Sequence, residues 1–235
     1  MHEDQMLVAD TANRIFSEEC PPEVVEQAEN GIYAEELWET LNANGLLLAG
    51  VDEANGGCGG SIIDALIILR EAARKAAPLP LAETFVAGQA LNQLQQPMPA
   101  LPITLVRGNF ELSKSGLLKG DCSRVPFGRN CQSFLIAVND ANEQHKQPIS
   151  LCLVDADQAS IEQGKNISGE PCDRLLIKTE MTASRIFTVD RQWLNYVELL
   201  GAASRAVMMA GALEEMLQMT VNYALERRQF GKAIA

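Results

Sequence analysis

The sequence predicts an α+β protein: an N-terminal helical bundle, a middle antiparallel β-sandwich or barrel, and a long C-terminal helix. Three observations carry this reading. Apolar residues recur at helical spacing up to about residue 96. A cluster of prolines follows, and beyond it come short runs rich in β-branched and aromatic residues. From Arg191 the helical pattern returns, and no proline interrupts it before Arg228. The expected domains are 1–97, 98–190 and 191–235.

In the first segment Val8, Ala12, Ile15 and Phe16 share one helical face, as do Leu37, Trp38 and Leu41. Gly45 stands where a left-handed C-cap is expected. "VDEANGGCGGS" must be a loop, and Ser61 with Asp64 three residues later reads as a helix N-cap. The helix it opens, "IIDALIILREAARKAA", is apolar on nearly every face and belongs in the middle of a bundle. "PLP" at 78–80 ends it, and Leu81, Phe85 and Leu94 mark another helix. Pro97, Pro99 and Pro102 set the boundary, since proline cannot continue a helix. Next come "ITLVRG", "FELS", "SFLIAVN", "ISLCLVDAD", "DRLLIKTE" and "SRIFTVD", short strands of a small sandwich or barrel. The last helix, Arg191 to Arg228, would span roughly 55 Å. Its apolar middle, Leu199 to Leu213, demands partner helices from this chain or another.

Composition narrows the function. Nineteen basic against 31 acidic residues give a net charge of −12, which repels phosphate backbones, so nucleic acid is not an expected partner. "MHEDQ" leads into no apolar run, so no signal peptide is expected. Leu199–Leu213 is broken by Arg205 and is shorter than the ~20 residues of a membrane span, so a cytoplasmic protein without a span is expected. The six cysteines include no C-x-x-C pair and read as reduced thiols. His2 and His145 are the only histidines, too few for a zinc site or a histidine-based triad, so no metal is expected. "GGCGG" could cradle a phosphate on its amides, but it fits neither G-x-G-x-x-G nor the P-loop. It reads instead as a tight turn between helices.

Longer blocks carry a resemblance. "LWETLNANGLLLAGVDEANGGCGGSIIDALIILREAARKAAPLP", "LLKGDCSRVPFGRNCQSFLIAV", "LCLVDADQASIEQG" and above all "MMAGALEEMLQMTVNYALERRQFGKAIA" resemble the acyl-CoA dehydrogenase family of flavoproteins. The last block matches that family's Y-x-x-x-R-x-Q-F-G signature. The resemblance implies an oxidoreductase using FAD on an acyl-CoA, within a homo-oligomer or beside a heteromeric partner subunit. It also implies that Arg227, Gln229 and Phe230 reach the FAD of the neighbouring subunit. Their own chemistry suits this: a fixed fork of donors for a diphosphate, a neutral donor, and a flat apolar face. The plainer alternative is a helix end whose basic residues offset its dipole.

Two departures stand against the resemblance. The family's T-E-x-x-x-G-S-D segment is missing from "PMPALPITLVRGNFELS". Its flavin-side W-I-[ST] falls on Arg124, Val125 and Pro126, which leaves a backbone contact from Val125 as the one expected there. The resemblance puts the glutamate base of most members beyond Ala235. In other members it lies about seven turns before the signature arginine, which is Gly201 here, with Glu198 nearly a turn away. No catalytic residue is therefore assigned. The expectation is an acyl-CoA dehydrogenase-like chain that lacks its catalytic C-terminal bundle. The alternative is a catalytically silent subunit that completes the flavin site of a partner chain.

Overall fold

Helix α1 (Glu3–Glu19) opens the chain in a computed structural model that describes residues 3–138, 149–229 and 232–233. His2, His145 and Phe230 lie outside the described residues. Helices α2 (Pro22–Glu29), α3 (Glu35–Ala43), α4 (Ile62–Arg74) and α5 (Leu81–Gln93) follow. The faces read from spacing are the buried ones: Ala12, Ile15 and Phe16 of α1 meet Leu37, Trp38 and Leu41 of α3 in one cluster. Ser61 caps α4 as expected. Its Oγ accepts from the Asp64 amide at 3.3 Å, and the Asp64 carboxylate accepts from the Ser61 amide at 2.7 Å. α4 is less enclosed than its sequence suggests, with Ile63 53% exposed. The middle position belongs to α5, which gives Leu81, Ala82 and Phe85 to the helical cluster and Ala87, Ala90 and Leu91 to a second cluster on the sheet side.

The glycine-rich loop consumes its own amides. Those of Gly56, Gly57, Cys58 and Gly59 donate to the carbonyls of Glu53, Asp52, Leu48 and Val51. A Cβ at Gly57 would sit 2.2 Å from the Val51 carbonyl oxygen, so only glycine permits this closure. The turn reading holds, and an anion would find those four donors already taken.

Two four-stranded sheets follow. The first runs in the order β1 (Ile103–Arg107), β4 (Ser133–Val138), β5 (Ile149–Asp155), β8 (Ile186–Val189). The second runs β2 (Asn109–Leu112), β3 (Leu117–Pro126), β7 (Cys172–Glu180), β6 (Ala159–Glu162). The six runs quoted above are β1, β2, β4, β5, β7 and β8. One pairing departs from the antiparallel expectation, because β1 and β4 are parallel. The chain spends β2 and β3 in the other sheet before returning, so it re-enters the first sheet in the same direction. Phe110, Leu118, Phe134, Ile136, Val154 and Leu175 fill the space between the sheets. All six residues of β4 are buried, since Leu135 and Ala137 face the helices while Phe134, Ile136 and Val138 face the second sheet. That explains why β4 reads as a continuous apolar run.

Helix α6 (Arg191–Glu226) is 36 residues long and starts on Asp190, whose carboxylate accepts from the Trp193 amide at 2.8 Å. Trp193, Leu194 and Val197 close the sheet-side cluster, and Leu200 enters the helical one. Further along, Gly211 lies against the Arg70 backbone, where a Cβ would come within 2.2 Å of the carbonyl oxygen. A two-residue ribbon, β9 (Arg228–Gln229) with β10 (Lys232–Ala233), follows. By length and composition alone α6 is apolar enough to cross a membrane, which the shorter stretch Leu199–Leu213 does not suggest. Four of its charged residues pair with the rest of the protein, however: Glu198 with Arg107 of β1, Arg205 with Glu83 of α5, and Glu214 and Glu215 with Arg70 and Arg74 of α4.

Candidate functional site

A cleft of about 200 Å³ opens where α5, α6, β1 and the end of β3 converge. α5 contributes Ala82, Glu83 and Val86. α6 contributes Gly201, Ser204 and Arg205, whose spacing of three and four puts them on one face. Thr104 and Leu105 of β1 and Pro126 of β3 complete it. The fold thus brings together Pro126 and Gly201, the positions at which the resemblance placed the flavin edge and one of the two base sites.

The cleft holds a charged pair that was not assigned from the sequence. The Glu83 side chain is 7% exposed and accepts from Arg205 Nη2, while the Arg205 side chain is 53% exposed. A carboxylate so enclosed requires a partner, and α6 delivers one across the cleft. The Ser204 hydroxyl donates to the Leu200 carbonyl at 2.7 Å, so its proton is spent within the helix. Around Gly201 nothing lies within 4 Å of where a Cβ would stand. Glu198, the nearest carboxylate in sequence, is tied to Arg107 and does not line the cleft. Two signals for the pair were present in the sequence: an acidic residue in the apolar run "PLPLAETFVA", and the arginine that interrupts the most apolar stretch.

The remaining predicted positions lie elsewhere. Val125 is 2% exposed, with its side chain in the core between the sheets, so only its backbone can meet a ligand. Arg124 and Pro126 are exposed. Arg227 caps the far end of α6, its guanidinium 5.5 Å from the Tyr223 ring centroid and donating to the Tyr223 hydroxyl. Gln229 follows, exposed on the ribbon. From Gly201 to Arg227 the helix is unbroken, and 26 residues at 1.5 Å make about 39 Å. That separation lies far beyond the reach of any side chain. Arg227 and Gln229 could hold a diphosphate. Val125 could offer a backbone group to a ring, but no hydroxyl or aromatic side chain stands at 124–126.

Other chemistries find little material. Among the described residues no group of three or more His, Cys, Asp or Glu could hold a metal ion. The six cysteines are free; burial pushes the Cys20 thiol up to about 11 despite nearby Lys75, and the Cys152 thiol up to about 11. Thiols so raised are poor nucleophiles at neutral pH. Another cavity, of about 220 Å³, lies between α2 and the loops at 127–130 and 168–171 and shares no lining residue with the cleft.

Comparisons with known proteins bear on the fold. Residues 2–96 match the family model of the acyl-CoA dehydrogenase N-terminal domain. The acyl-CoA dehydrogenase IpdE2 of Mycobacterium tuberculosis is 26% identical over 240 residues, covering 99% of this chain and 67% of that protein. The mitochondrial long-chain specific acyl-CoA dehydrogenase of Sus scrofa is 23% identical over 275 residues, covering 97% of this chain and 62% of that one. Among solved structures, the ChsE4-ChsE5 complex from Mycobacterium tuberculosis superposes with a TM-score of 0.84 at 21% identity, covering all of this chain and 70% of its own. Butyryl-CoA dehydrogenase from Megasphaera elsdenii gives 0.82 at 18% identity, covering all of this chain and 72% of its own. The chain spans about two thirds of the length of these curated relatives.

Proposed function

We propose that the chain, whose residues 2–96 match the acyl-CoA dehydrogenase N-terminal domain, is a member of that family and serves FAD-dependent α,β-dehydrogenation of an acyl-CoA thioester as one subunit of an assembly. The cleft between α5 and α6 receives the acyl group. The far end of α6 supplies Arg227, Gln229 and Phe230 to the diphosphate side of an FAD held mainly by a neighbouring chain. One observation carries this reading: the cleft and Arg227 stand about 39 Å apart on one continuous helix. No single cofactor spans that distance, so the two ends of α6 serve different sites.

FAD, when bound, supplies the acceptor for the β-hydride. This chain's residues bind and orient. Arg227 presents parallel N–H donors suited to phosphate oxygens, and Gln229 adds a neutral donor beside it. The Val125 backbone lies beside Pro126 at the mouth of the cleft. The Gly201 backbone leaves that side of the cleft open to the substrate's α- and β-carbons. The carboxylate in the cleft, Glu83, is already engaged by Arg205, and no residue described here is assigned as the base. A partner chain of a different kind suits this division of labour. Solved structures of the same fold include the ChsE4-ChsE5 complex and the Tcur3481-Tcur3483 steroid ACAD G363A variant.

A second reading has its own support. Because Arg124, Val125 and Pro126 offer neither hydroxyl nor tryptophan, a catalytically silent subunit that only braces a partner's flavin fits the same structure. Flavin retention tests the shared claim. The chain alone should hold FAD weakly or not at all, the assembly isolated with its partner chain should retain it, and Arg227→Ala should release flavin from that assembly while keeping the same helix content. Equal retention by the variant would remove Arg227 from the proposal.

A further inference from the structure

Resting on the assignment of the α5–α6 cleft to the acyl group, we infer that the acyl group carries a neutral oxygen acceptor, a ketone or a hydroxyl, which hydrogen-bonds the Arg205 guanidinium. A plain alkyl chain gives no reason to place ions in the wall of its site, where desolvating them is costly. Here the wall holds Glu83, 7% exposed, and Arg205 reaching across to it. The guanidinium carries five N–H donors. One Nη2–H goes to Glu83, and Nη1 meets the Met208 sulfur at 3.6 Å, a weak acceptor. Among the described residues no strong acceptor takes the remaining donors, so water or a ligand can fill them.

The sign of the charge selects among ligands. Glu83 already neutralises Arg205, so a second carboxylate would bring an uncompensated negative charge into the cleft of a protein whose net charge is −12. A carbonyl or hydroxyl oxygen satisfies the free donors without that cost. Position completes the description. Arg205 lies one helical turn beyond Gly201, about 6 Å along the axis, so the oxygen belongs a few bonds past the carbons that react.

Three thioesters of matched length test this by isothermal titration calorimetry on the full chain: hexanoyl-CoA, 5-oxohexanoyl-CoA and glutaryl-CoA, with CoA as reference. The ketone should bind about tenfold tighter than hexanoyl-CoA, the gain of one hydrogen bond to a charged group, and tighter than glutaryl-CoA. Arg205→Met should erase that preference. Because this variant strands a buried carboxylate and can unfold, Glu83→Gln/Arg205→Met is measured beside it and should erase the preference as well. Equal affinity for ketone and alkyl thioesters, tightest binding of glutaryl-CoA, or a preference that survives the double substitution would overturn the inference. If no thioester binds more tightly than CoA itself, the cleft is not an acyl site, and the functional proposal falls with it.

Discussion

Arg129 pins the second sheet to the loop after β3, and its removal has a magnitude that follows from the contacts. Asp173 on β7 is fully buried and accepts from the Arg129 amide at 2.7 Å, from Arg129 Nε at 3.1 Å and from the Gly164 amide at 2.9 Å. The same arginine donates to the Gly164 carbonyl at 2.6 Å and to Gln163 at 3.2 Å, so one side chain joins three backbone segments. Arg129→Met leaves the Asp173 carboxylate with backbone donors alone. Stranding a buried charge in this way costs about 3–5 kcal/mol, a large share of the ~5–15 kcal/mol that holds a typical domain folded. At ~2–4 °C per kcal/mol for a chain of this size, the midpoint should fall by roughly 6–20 °C. The assay is urea and thermal unfolding followed by circular dichroism. Arg129→Met/Asp173→Leu, which removes both charges, should recover at least half of the loss. A single variant within ~1 kcal/mol of wild type, or a double variant worse than the single, would refute the reasoning.

Burial alone would raise the Asp173 carboxyl, but the Arg129 donors and the Gly164 amide together hold it below the ordinary carboxylate range. Its stabilisation is therefore present above about pH 4 and lost as pH falls through the lower folded value, so wild-type stability should decline only in strong acid. In Arg129→Met, where burial dominates, the carboxyl rises instead, and the gap from wild type should narrow as a stability titration is carried from neutral pH towards ~4. Two glycines of α6 should respond in opposite directions. Gly201→Ala meets open space and should gain up to ~1 kcal/mol of helix stability while weakening thioester binding. Gly211→Ala drives a methyl into the Arg70 carbonyl and should lose about 1–3 kcal/mol, both read by denaturant midpoints. Arg227→Ala should leave the unfolding midpoint within ~0.5 kcal/mol of wild type, because the residue is exposed and, among the described residues, bonded to its own helix end.

Local signals proved the legible ones. The helical faces of α1 and α3, the Ser61–Asp64 cap and the self-closing glycine loop each depend on residues a few positions apart, and each reads directly from spacing or turn chemistry. Counting seven turns back from Arg227 reached a cleft residue, Gly201, because α6 is unbroken and a helix is a ruler. Strand β3 was harder. Its run "LLKGDCSRVP" lacks clean alternation, and a bulge between Cys122 and Val125 resets the register. At Gly120 a Cβ would come within 2.0 Å of the Asn109 carbonyl oxygen, a closeness visible only once β2 is in place. The parallel pairing of β1 with β4 was hidden for the same reason. The long-range charged pairs were the least legible, since Glu83 meets Arg205 across 122 residues of sequence and Arg129 meets Asp173 across 44. Each partner alone looks like an ordinary charged residue, and only the folded layers bring the two together.

The dual role of α6 has a consequence in time. Leu200 completes the core of the first helices, and Trp193, Leu194 and Val197 complete the packing of α5 on the first sheet. Yet almost a hundred residues separate the end of α5 at Gln93 from the start of α6 at Arg191. At a synthesis rate of ~5–20 residues per second, a nascent chain would present α4 and α5 without their cover for about 5–20 s. Helix hairpins form in microseconds, so those first helices would wait, partly assembled, through the making of both sheets. The face they hold open is apolar, so those seconds are when the nascent chain is most open to aggregation.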